Sequence, residues 1–299
     1  MTPSIGRLRP GSVVALGLAC AGLAATPSAG TATHRLPRPP VTPIVFWSDS
    51  PWPSIWTVRS NGSRLRRILR NRQNAKRPRL SPDGRWVAFD GTPPPERPLS
   101  DFEIQLVRID GTGLRTVTRS PDWNVDAQWS PDGAWVAFSR RPPEAIDEAG
   151  SSICVVRRDG SDLRCLGPGF GARWSPAGTE VVFSAPTGRS RGDIFVTAVQ
   201  AGEPRLLLAT RALEQPAGWS PNGKQILFTR FGDRGDTHVF VMRADGKHVR
   251  KLTSGIAAAW SPDGRRILYT RSSRLYAMNA DGSRKRWIGG IVRAYEPDW

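Results

Sequence analysis

The sequence predicts an all-β fold assembled from copies of one four-stranded unit, and two turn motifs carry that prediction. The first is Ser-Pro-Asp-Gly or a close variant, which recurs every 41–49 residues and precedes a short run of β-branched and aromatic residues. The second is an Asx-Gly or X-Gly pair between alternating strands, which occurs six times. Self-similarity at this period is typical of stacked all-β units. Six copies therefore predict a six-bladed β-propeller of four-stranded antiparallel blades.

The first motif has the residues of a tight turn that joins two strands. Proline presets φ for the first central position of a type I turn, and glycine closes the turn. Serine before proline is pushed into extended geometry, which suits the end of a strand. Tryptophan precedes the serine in four copies, where it would bury a large apolar surface between neighbouring sheets. The five copies start at Ser81, Ser130, Ser175, Ser220 and Ser261.

The second motif predicts the hairpin between the third and fourth strands of each unit. Such dipeptides between alternating strands favour tight hairpin turns. They are Asn61-Gly62, Asp110-Gly111, Asp159-Gly160, Ala201-Gly202, Asp245-Gly246 and Asp281-Gly282.

The two ends of the chain complete each other in this scheme. The first unit begins at Ile44, inside its second strand, without a preceding Ser-Pro turn. The chain finishes with Tyr295–Trp299, which matches the first strand of a unit up to its tryptophan. We expect this C-terminal strand to pair with the N-terminal blade, because that pairing closes the ring and removes two exposed sheet edges.

Residues 1–32 have the layout of a secretory signal peptide. Two arginines precede an apolar run from Val13 to Ala25, and small residues follow it. The run of 13 residues is shorter than the ~20 that a membrane helix needs. Cys20 leaves open an alternative, in which lipoprotein processing makes that cysteine the acylated first residue. Either route predicts export to the periplasm, the cell envelope or the extracellular space.

The segment after the leader, residues 33–43, is rich in proline and arginine, which predicts an extended linker. The predicted propeller domain follows at 44–299. No helical period interrupts it, so we expect one domain.

The repeats of residues 44–299 resemble those of the TolB-type, WD40-like (PD40 repeat) β-propeller family. Blades of that family read Trp-Ser-Pro-Asp-Gly, Ile-Ala-Phe, Ile-Tyr-Val and Ala-Asp-Gly. The matching residues here are Trp129–Gly133, Val136–Phe138, Ile153–Val155 and Arg158–Gly160, and the other units match in parallel. The resemblance implies the propeller fold alone, because the α/β domain that precedes the propeller in TolB has no counterpart in this sequence.

The chain is strongly basic, with a formal net charge of +17 at pH 7. One interpretation is attraction to an anionic partner, such as an envelope component or an acidic protein. The other is genomic base composition, since arginine greatly outnumbers lysine. Export and the lack of a basic helix, a zinc module or an aromatic RNA-binding signature argue against a nucleic-acid partner. Membrane attachment is expected only if Cys20 is lipidated, and a monomer is expected.

Three local patterns contain residue types that could carry chemistry. Cys154 and Cys165 flank one predicted hairpin, and in an oxidising compartment such a pair predicts a cross-strand disulfide. Gly188–Gly192 matches the Gly-x-Ser-x-Gly pattern of serine hydrolases, but it lies between two strands and lacks the helix that a nucleophile elbow requires. His238 and His248 are too few for a histidine metal site. No metal or other cofactor is therefore predicted.

The variable loops between the second and third strands are the predicted recognition surface, because irregular loops on a rigid scaffold usually carry binding. Arg140, Arg230 and Arg271 occupy equivalent positions at the start of these loops. Arginines so placed could hold a carboxylate or phosphate through paired hydrogen bonds. Further candidate ligand-binding residues near the same channel mouth are Asp90, Trp123, Asn124, Asp126 and Tyr295.

The sequence thus predicts a secreted or envelope-associated, non-catalytic binding module that recognises a protein or an anionic ligand on its loop face. The alternative is a metal-assisted lyase or hydrolase that acts on acidic polysaccharide in the propeller channel. Lyases of that kind are built on TolB-like blades, so the resemblance leaves this alternative open.

Overall fold

The structure, a computed structural model, describes residues 43–48, 54–59, 64–69, 74–93, 102–145, 150–188, 190–200, 202–272, 274–292 and 295–298. The predicted signal peptide at 1–32, with Cys20, lies outside these residues. So do Trp299 and the linker at 33–43, except that its last residue begins the first strand. The described part contains strands and turns only, and thus no helix long and apolar enough to cross a membrane. The predicted all-β fold is confirmed.

Half of the described strands form sheets of four consecutive antiparallel strands. One sheet contains β4 (Lys76–Leu80), β5 (Trp86–Gly91), β6 (Glu103–Arg108) and β7 (Arg115–Thr116). The next contains β8 (Trp123–Trp129), β9 (Trp135–Arg141), β10 (Ser152–Arg157) and β11 (Arg164–Pro168). Another contains β20 (Ile256–Trp260), β21 (Arg266–Arg271), β22 (Arg274–Asn279) and β23 (Arg286–Val292).

An eight-stranded sheet lies between these in the chain. It combines β12 (Phe170–Trp174), β13 (Glu180–Thr187), β14 (Ser190–Ala198) and β15 (Arg205–Leu208) with β16 (Leu213–Trp219), β17 (Gln225–Phe231), β18 (Thr237–Arg243) and β19 (Arg250–Ser254). Within each half the neighbours are antiparallel, and the halves meet through one parallel pair between Gly192 and Leu213.

The remaining sheet joins the two ends of the described chain. It contains β1 (Pro43–Ser48), β2 (Ser54–Arg59), β3 (Arg66–Arg67) and β24 (Tyr295–Asp298). Strand β24 pairs antiparallel with β1, with Val45 opposite Asp298 and Trp47 opposite Tyr295. The strands that precede the Ser-Pro turns, here called first strands, contact one another in the order β4, β8, β12, β16 and β20. Strand β24 contacts both β20 and β4.

The hydrophobic core lies between successive sheets, where the repeated tryptophan packs. One buried cluster combines Ile104 and Leu106 of β6 with Trp129 of β8 and Phe138 of β9. The indole Nε1 of Trp129 also donates to the carbonyl of Arg79 on the preceding first strand, at 3.0 Å. The indole Nε1 of Trp174 donates in the same way to the carbonyl of Gln128, at 3.1 Å. These two tryptophans therefore fix the spacing of neighbouring first strands as well as burying apolar area.

Arginines on the fourth strand of a sheet form hydrogen bonds to the backbone of the next sheet. The guanidinium of Arg115 donates to the carbonyl of Arg158 at 2.7 Å, and that of Arg250 donates to the carbonyl of Asp281 at 2.8 Å. Both acceptors belong to the Asp-Gly turn of the following sheet. These bonds connect neighbouring sheets at the turn end of the molecule.

One sheet carries a covalent cross-link in addition. Cys154 of β10 lies directly opposite Cys165 of β11, and their sulfurs form a disulfide with a Cα–Cα distance of 3.9 Å.

Candidate functional site

The first strands surround a cavity of about 500 Å³. Its lining also includes residues at the far ends of the second strands, such as Arg141, Phe231 and Ser272. These ends are opposite the Ser-Pro turns, so the cavity lies toward the end of the molecule that carries the variable loops.

A β-bulge in most first strands shapes this cavity. The residue four positions before the turn serine has positive φ in β4, β8, β12 and β20, and the ladder register shifts there. These residues are Arg77, Asp126, Gly171 and Ala257. Strand β16 has Pro216 at this position, and its irregularity falls between Pro216 and Gly218 instead, because proline cannot adopt positive φ. All five positions line the cavity, since a bulge redirects the side chain at which it occurs.

One wall of the cavity is built on a charged cluster around Asp126. Both terminal nitrogens of the Arg173 guanidinium donate to this carboxylate, Nη1 to Oδ2 at 2.8 Å and Nη2 to Oδ1 at 3.4 Å. Nη2 of Arg79 lies 3.8 Å from Oδ1. The three side chains are only 13–14% exposed. Burial acts to raise the pKa of the Asp126 carboxyl, but Arg173 and Arg79 together outweigh it and the net pKa shift is downward.

A second carboxylate supports the same wall from behind. The side chain of Asp90 is fully buried and accepts a hydrogen bond from Nε of Arg77. It also accepts one from the backbone N–H of Asp126 at 3.1 Å, which ties the bulge in β8 to β5. Burial raises the pKa of the Asp90 carboxyl, and Arg77 counteracts only part of this. Among the described residues, this wall therefore combines three arginine and two aspartate side chains.

The wall formed by first strands β16 and β20 is mainly small and apolar. It contains Pro216, Ala217 and the run Ala257–Ala259, together with Ile256 and the polar Gln215. An asymmetric cavity of this kind fits a ligand with an anionic group on one side and an apolar part on the other.

The cavity lining includes two of the residues predicted for the site, Trp123 and Asp126. The ring of Trp123 lies under the guanidinium of Arg141, with 4.7 Å between the guanidinium carbon and the ring centroid. Asp90 lies behind the wall, as described above. Asn124 is also fully buried, and its amide donates to Glu103 Oε2 at 2.8 Å.

The three predicted loop arginines are placed differently from one another. Nε of Arg140 donates to Asn124 at 3.2 Å, and Nε of Arg230 donates to the buried Glu214 at 2.6 Å. Arg271 is exposed at the end of β21. The described lining of the cavity contains none of the three. Tyr295 is on β24, and its side chain lies outside the part of the chain that the structure describes.

Sequence reasoning missed the arginines that do line the cavity, Arg77, Arg79 and Arg173. A signal for them exists. Arg79 and Arg173 both stand two positions before the turn serine, on first strands, whereas the predicted recognition surface consists of the variable loops.

The residues with other chemical potential are more dispersed. Within the described ranges, no three or more His, Cys, Asp and Glu side chains are grouped so that they could hold a metal ion. Nε2 of His238 lies 2.9 Å from Asp236 Oδ2. Ser190, the serine of the Gly-x-Ser-x-Gly pattern, begins strand β14 and pairs with Thr187.

No family model matches the chain. TolB from Acinetobacter baumannii has a similar structure, with a TM-score of 0.69 and 18% identity over 86% of this chain and 66% of that chain. A putative TolB from Agrobacterium tumefaciens gives a TM-score of 0.63 and 18% identity over 82% of this chain and 87% of that chain. An oligogalacturonate lyase in complex with manganese gives 0.57 and 12% identity over 82% and 73%. At such identities the likeness concerns the fold alone, and the chain has a TolB-like β-propeller fold.

Proposed function

We propose that the protein is an exported, non-catalytic binding module, a six-bladed propeller that holds an acidic group of its ligand in the central cavity. The observation that carries this proposal is the asymmetry of that cavity. Three arginines on one wall are held in place by two carboxylates, and small apolar residues form the other wall.

The arginines are suited to binding because their positions are fixed before a ligand arrives. Arg173 is held by Asp126 and Arg77 by the buried Asp90, so little side-chain entropy remains to be lost on binding. A guanidinium carries five N–H donors, and Asp126 together with the carbonyl of Ala172 engages only part of those of Arg173. The remaining donors are available for a carboxylate or phosphate.

Six blades in a closed ring would give the cavity its rigid wall. The contacts of β24 with β20 and β4, and its pairing with β1, support this arrangement. The leader at 1–32 supports export, and the positive net charge of the chain supports an acidic partner.

Calorimetric titration of the mature protein with acetate, hexanoate and glucuronate tests the proposal. Hexanoate should bind more tightly than acetate, because its chain can contact the alanine wall. The double variant Arg79→Gln/Arg173→Gln should weaken hexanoate binding at least tenfold. A control with the same loss of charge, Arg108→Gln/Arg243→Gln, removes exposed arginines at the other end of the strands and should bind as the wild type does.

A second variant guards against misfolding of the first. Ala259→Leu narrows the cavity without a change of charge, and it should weaken hexanoate binding and leave acetate binding nearly unchanged. Equal weakening in the control, or no saturable binding of any of the three compounds, would refute the cavity as the binding site.

The metal-assisted lyase or hydrolase is tested on the same preparation. Elemental analysis would detect bound metal, and incubation with polygalacturonate would detect cleavage. Stoichiometric metal together with turnover of this polymer would overturn the non-catalytic proposal.

A further inference from the structure

A second, smaller cavity of about 180 Å³ lies on the β20–β23 sheet, away from the central cavity. Three arginines contribute to its lining, one from strand β21, one from β23 and one from the turn between β22 and β23. The lining residues are Arg266, Arg284, Arg286, Ala277, Met278 and Asn279.

The equivalent position in two other sheets is filled by a tryptophan. Trp86 and Trp135 stand two residues after the turn glycine, as Arg266 does in its sheet. The ring of Trp135 lies between Arg157 and Arg164, each with its guanidinium carbon 4.7 Å from the ring centroid.

The ring of Trp86 is stacked in the same way, with Arg108 and Arg115 each at 5.3 Å. In these sheets the indole occupies the space between two cations and stabilises both through its π face. Arg286 is the counterpart of Arg115, because each is at the start of the fourth strand of its sheet and pairs with a residue of the third strand, Ala277 and Leu106 respectively.

The β20–β23 sheet has an arginine, Arg286, on its outer strand as the other two sheets do. At the position of the tryptophan it has Arg266, which with Arg284 makes three cations in all. Arg266, Arg284 and Arg286 are all exposed, and the described residues that line the cavity include no carboxylate. Asp263 attracts Arg266 electrostatically, but its Oδ1 already accepts the Ser261 hydroxyl at 2.6 Å and the Arg265 N–H at 3.0 Å. Three like charges around an open space repel one another, and an anion in that space would relieve the repulsion.

We propose that this cavity binds a phosphate group. Guanidinium groups match the geometry of phosphate oxygens through paired hydrogen bonds, and three of them can surround a tetrahedral anion. The phosphate can belong to a soluble compound or to a lipid headgroup. Trp287, the residue after Arg286, is 55% exposed and lies beside Arg274; an exposed tryptophan next to cations is also a feature of surfaces that contact lipid headgroups.

Two kinds of probe distinguish the sources. Inorganic phosphate and glycerol phosphate are titrated calorimetrically at low and high salt, and flotation measures binding to phosphatidylglycerol vesicles against phosphatidylcholine vesicles. All titrations are repeated in the Arg79→Gln/Arg173→Gln background, so that binding in the central cavity is counted separately. If hexanoate does not bind in the central cavity, phosphate binding in the second cavity is still tested independently by these titrations.

Two variants remove the site by different means. Arg266→Trp introduces the indole that two other sheets have at this position, and it fills the cavity with the loss of a single charge. The triple variant Arg266→Ala/Arg284→Asn/Arg286→Ala removes all three cations; asparagine is used because Arg284 has a φ of 49° and asparagine tolerates that conformation. Both should weaken binding of the phosphate probe at least tenfold.

The matched control, Arg108→Ala/Arg157→Ala/Arg164→Ala, removes three arginines from the tryptophan-filled sheets and should change the affinity less than twofold. Binding of the soluble probes would assign a soluble phosphate compound, and binding of phosphatidylglycerol vesicles alone would assign a lipid headgroup. Equal weakening in the control would show a diffuse charge effect and overturn the proposal. So would the absence of saturable binding of every probe.

Discussion

The serine of each Ser-Pro turn is the residue on which the turn depends. In β8–β9, the hydroxyl of Ser130 accepts the N–H of Trp135 at 2.9 Å and donates to Asp132 Oδ1. Asp132 Oδ1 also accepts the N–H of Ala134 at 3.0 Å. The serine hydroxyl lowers the pKa of the aspartate in this turn, and the same is true of Asp83 and Asp263. The turn at Ser175 is a natural contrast, because Ala177 replaces the aspartate there.

Ser130→Ala should therefore destabilise the protein by an amount that depends on pH. The destabilisation caused by Ser175→Ala should not depend on pH in this way. A carboxyl with a lowered folded-state pKa stabilises the fold above its unfolded pKa of about 3.9, and that contribution is lost as the pH falls through the folded value. We expect Ser130→Ala to cost about 1–2 kcal/mol near pH 7, and less below about pH 4. Urea unfolding of both variants and the wild type at several pH values measures this.

The comparison is internally controlled, because both serines are buried and both accept a backbone N–H five residues on. The hydrogen bond to the backbone is lost in either variant, but only Ser130→Ala affects a carboxylate. The same pH profile for the two variants would contradict the assigned role of Asp132.

The cavity residues illustrate what single positions reveal in a sequence. Trp123 and Asp126 could be named because they precede a recognisable turn in a regular repeat. Arg79 and Arg173 were missed because alternation along a strand predicts which side chains share a face only while the strand is regular. The bulges in β4 and β12 change that alternation next to these residues. A bulge at a non-glycine residue such as Arg77 has no local sequence signal.

At the scale of the element, the glycines of the Asp-Gly turns do more than permit the turn. Gly246 has a φ of 84°, and a Cβ at this position would lie 2.2 Å from the carbonyl oxygen of Leu207 on the preceding outer strand. A Cβ at Gly111 would lie 2.7 Å from the carbonyl oxygen of Ile68. Glycine is therefore required by the approach of the neighbouring sheet as well as by φ.

Gly246→Ala should be clearly more destabilising than Gly223→Ala. Both glycines have similar positive φ, 84° and 70°, but a Cβ at Gly223 would meet nothing within 4 Å. The conformational penalty, about 1–2 kcal/mol, is thus shared. The overlap at Gly246 should add about 1–3 kcal/mol, because packed backbone cannot move away freely. Thermal and denaturant unfolding of the two variants give the difference, and equal losses would argue against close contact between these sheets.

The sequence could predict the turn at Asp245-Gly246 but not its contact with β15. A dipeptide signals the local backbone conformation, whereas the neighbour of a turn depends on how sheets are stacked. The disulfide between Cys154 and Cys165 was within reach because both cysteines belong to one hairpin, where spacing and register are local.

At the scale of the whole molecule, the pairing of β24 with β1 joins residues almost at opposite ends of the chain. A free first-strand edge would expose unpaired backbone groups to other chains. The sequence could predict this pairing because the first repeat lacks its first strand and the C-terminal tail matches the sequence of a first strand. The tail can therefore complete the first sheet. The placement of the basic cavity on the β20–β23 sheet could not be predicted, since it depends on how side chains from three strands and one turn pack together.

A cross-link tests the pairing directly. Trp47 lies opposite Tyr295, so the variant Trp47→Cys/Tyr295→Cys should form an intramolecular disulfide on oxidation, as the directly opposed Cys154 and Cys165 do. The control Phe46→Cys/Tyr295→Cys moves one cysteine by a single position and turns it to the other face of the strand, and it should remain unlinked. Peptide mapping without reduction identifies the bond. The linked form should also melt at a higher temperature, because the bond closes a very long loop of the unfolded chain. Cross-linking in the control but not in the test pair would show that the tail pairs in another register. Failure of both would show that the C-terminal strand does not complete the first sheet.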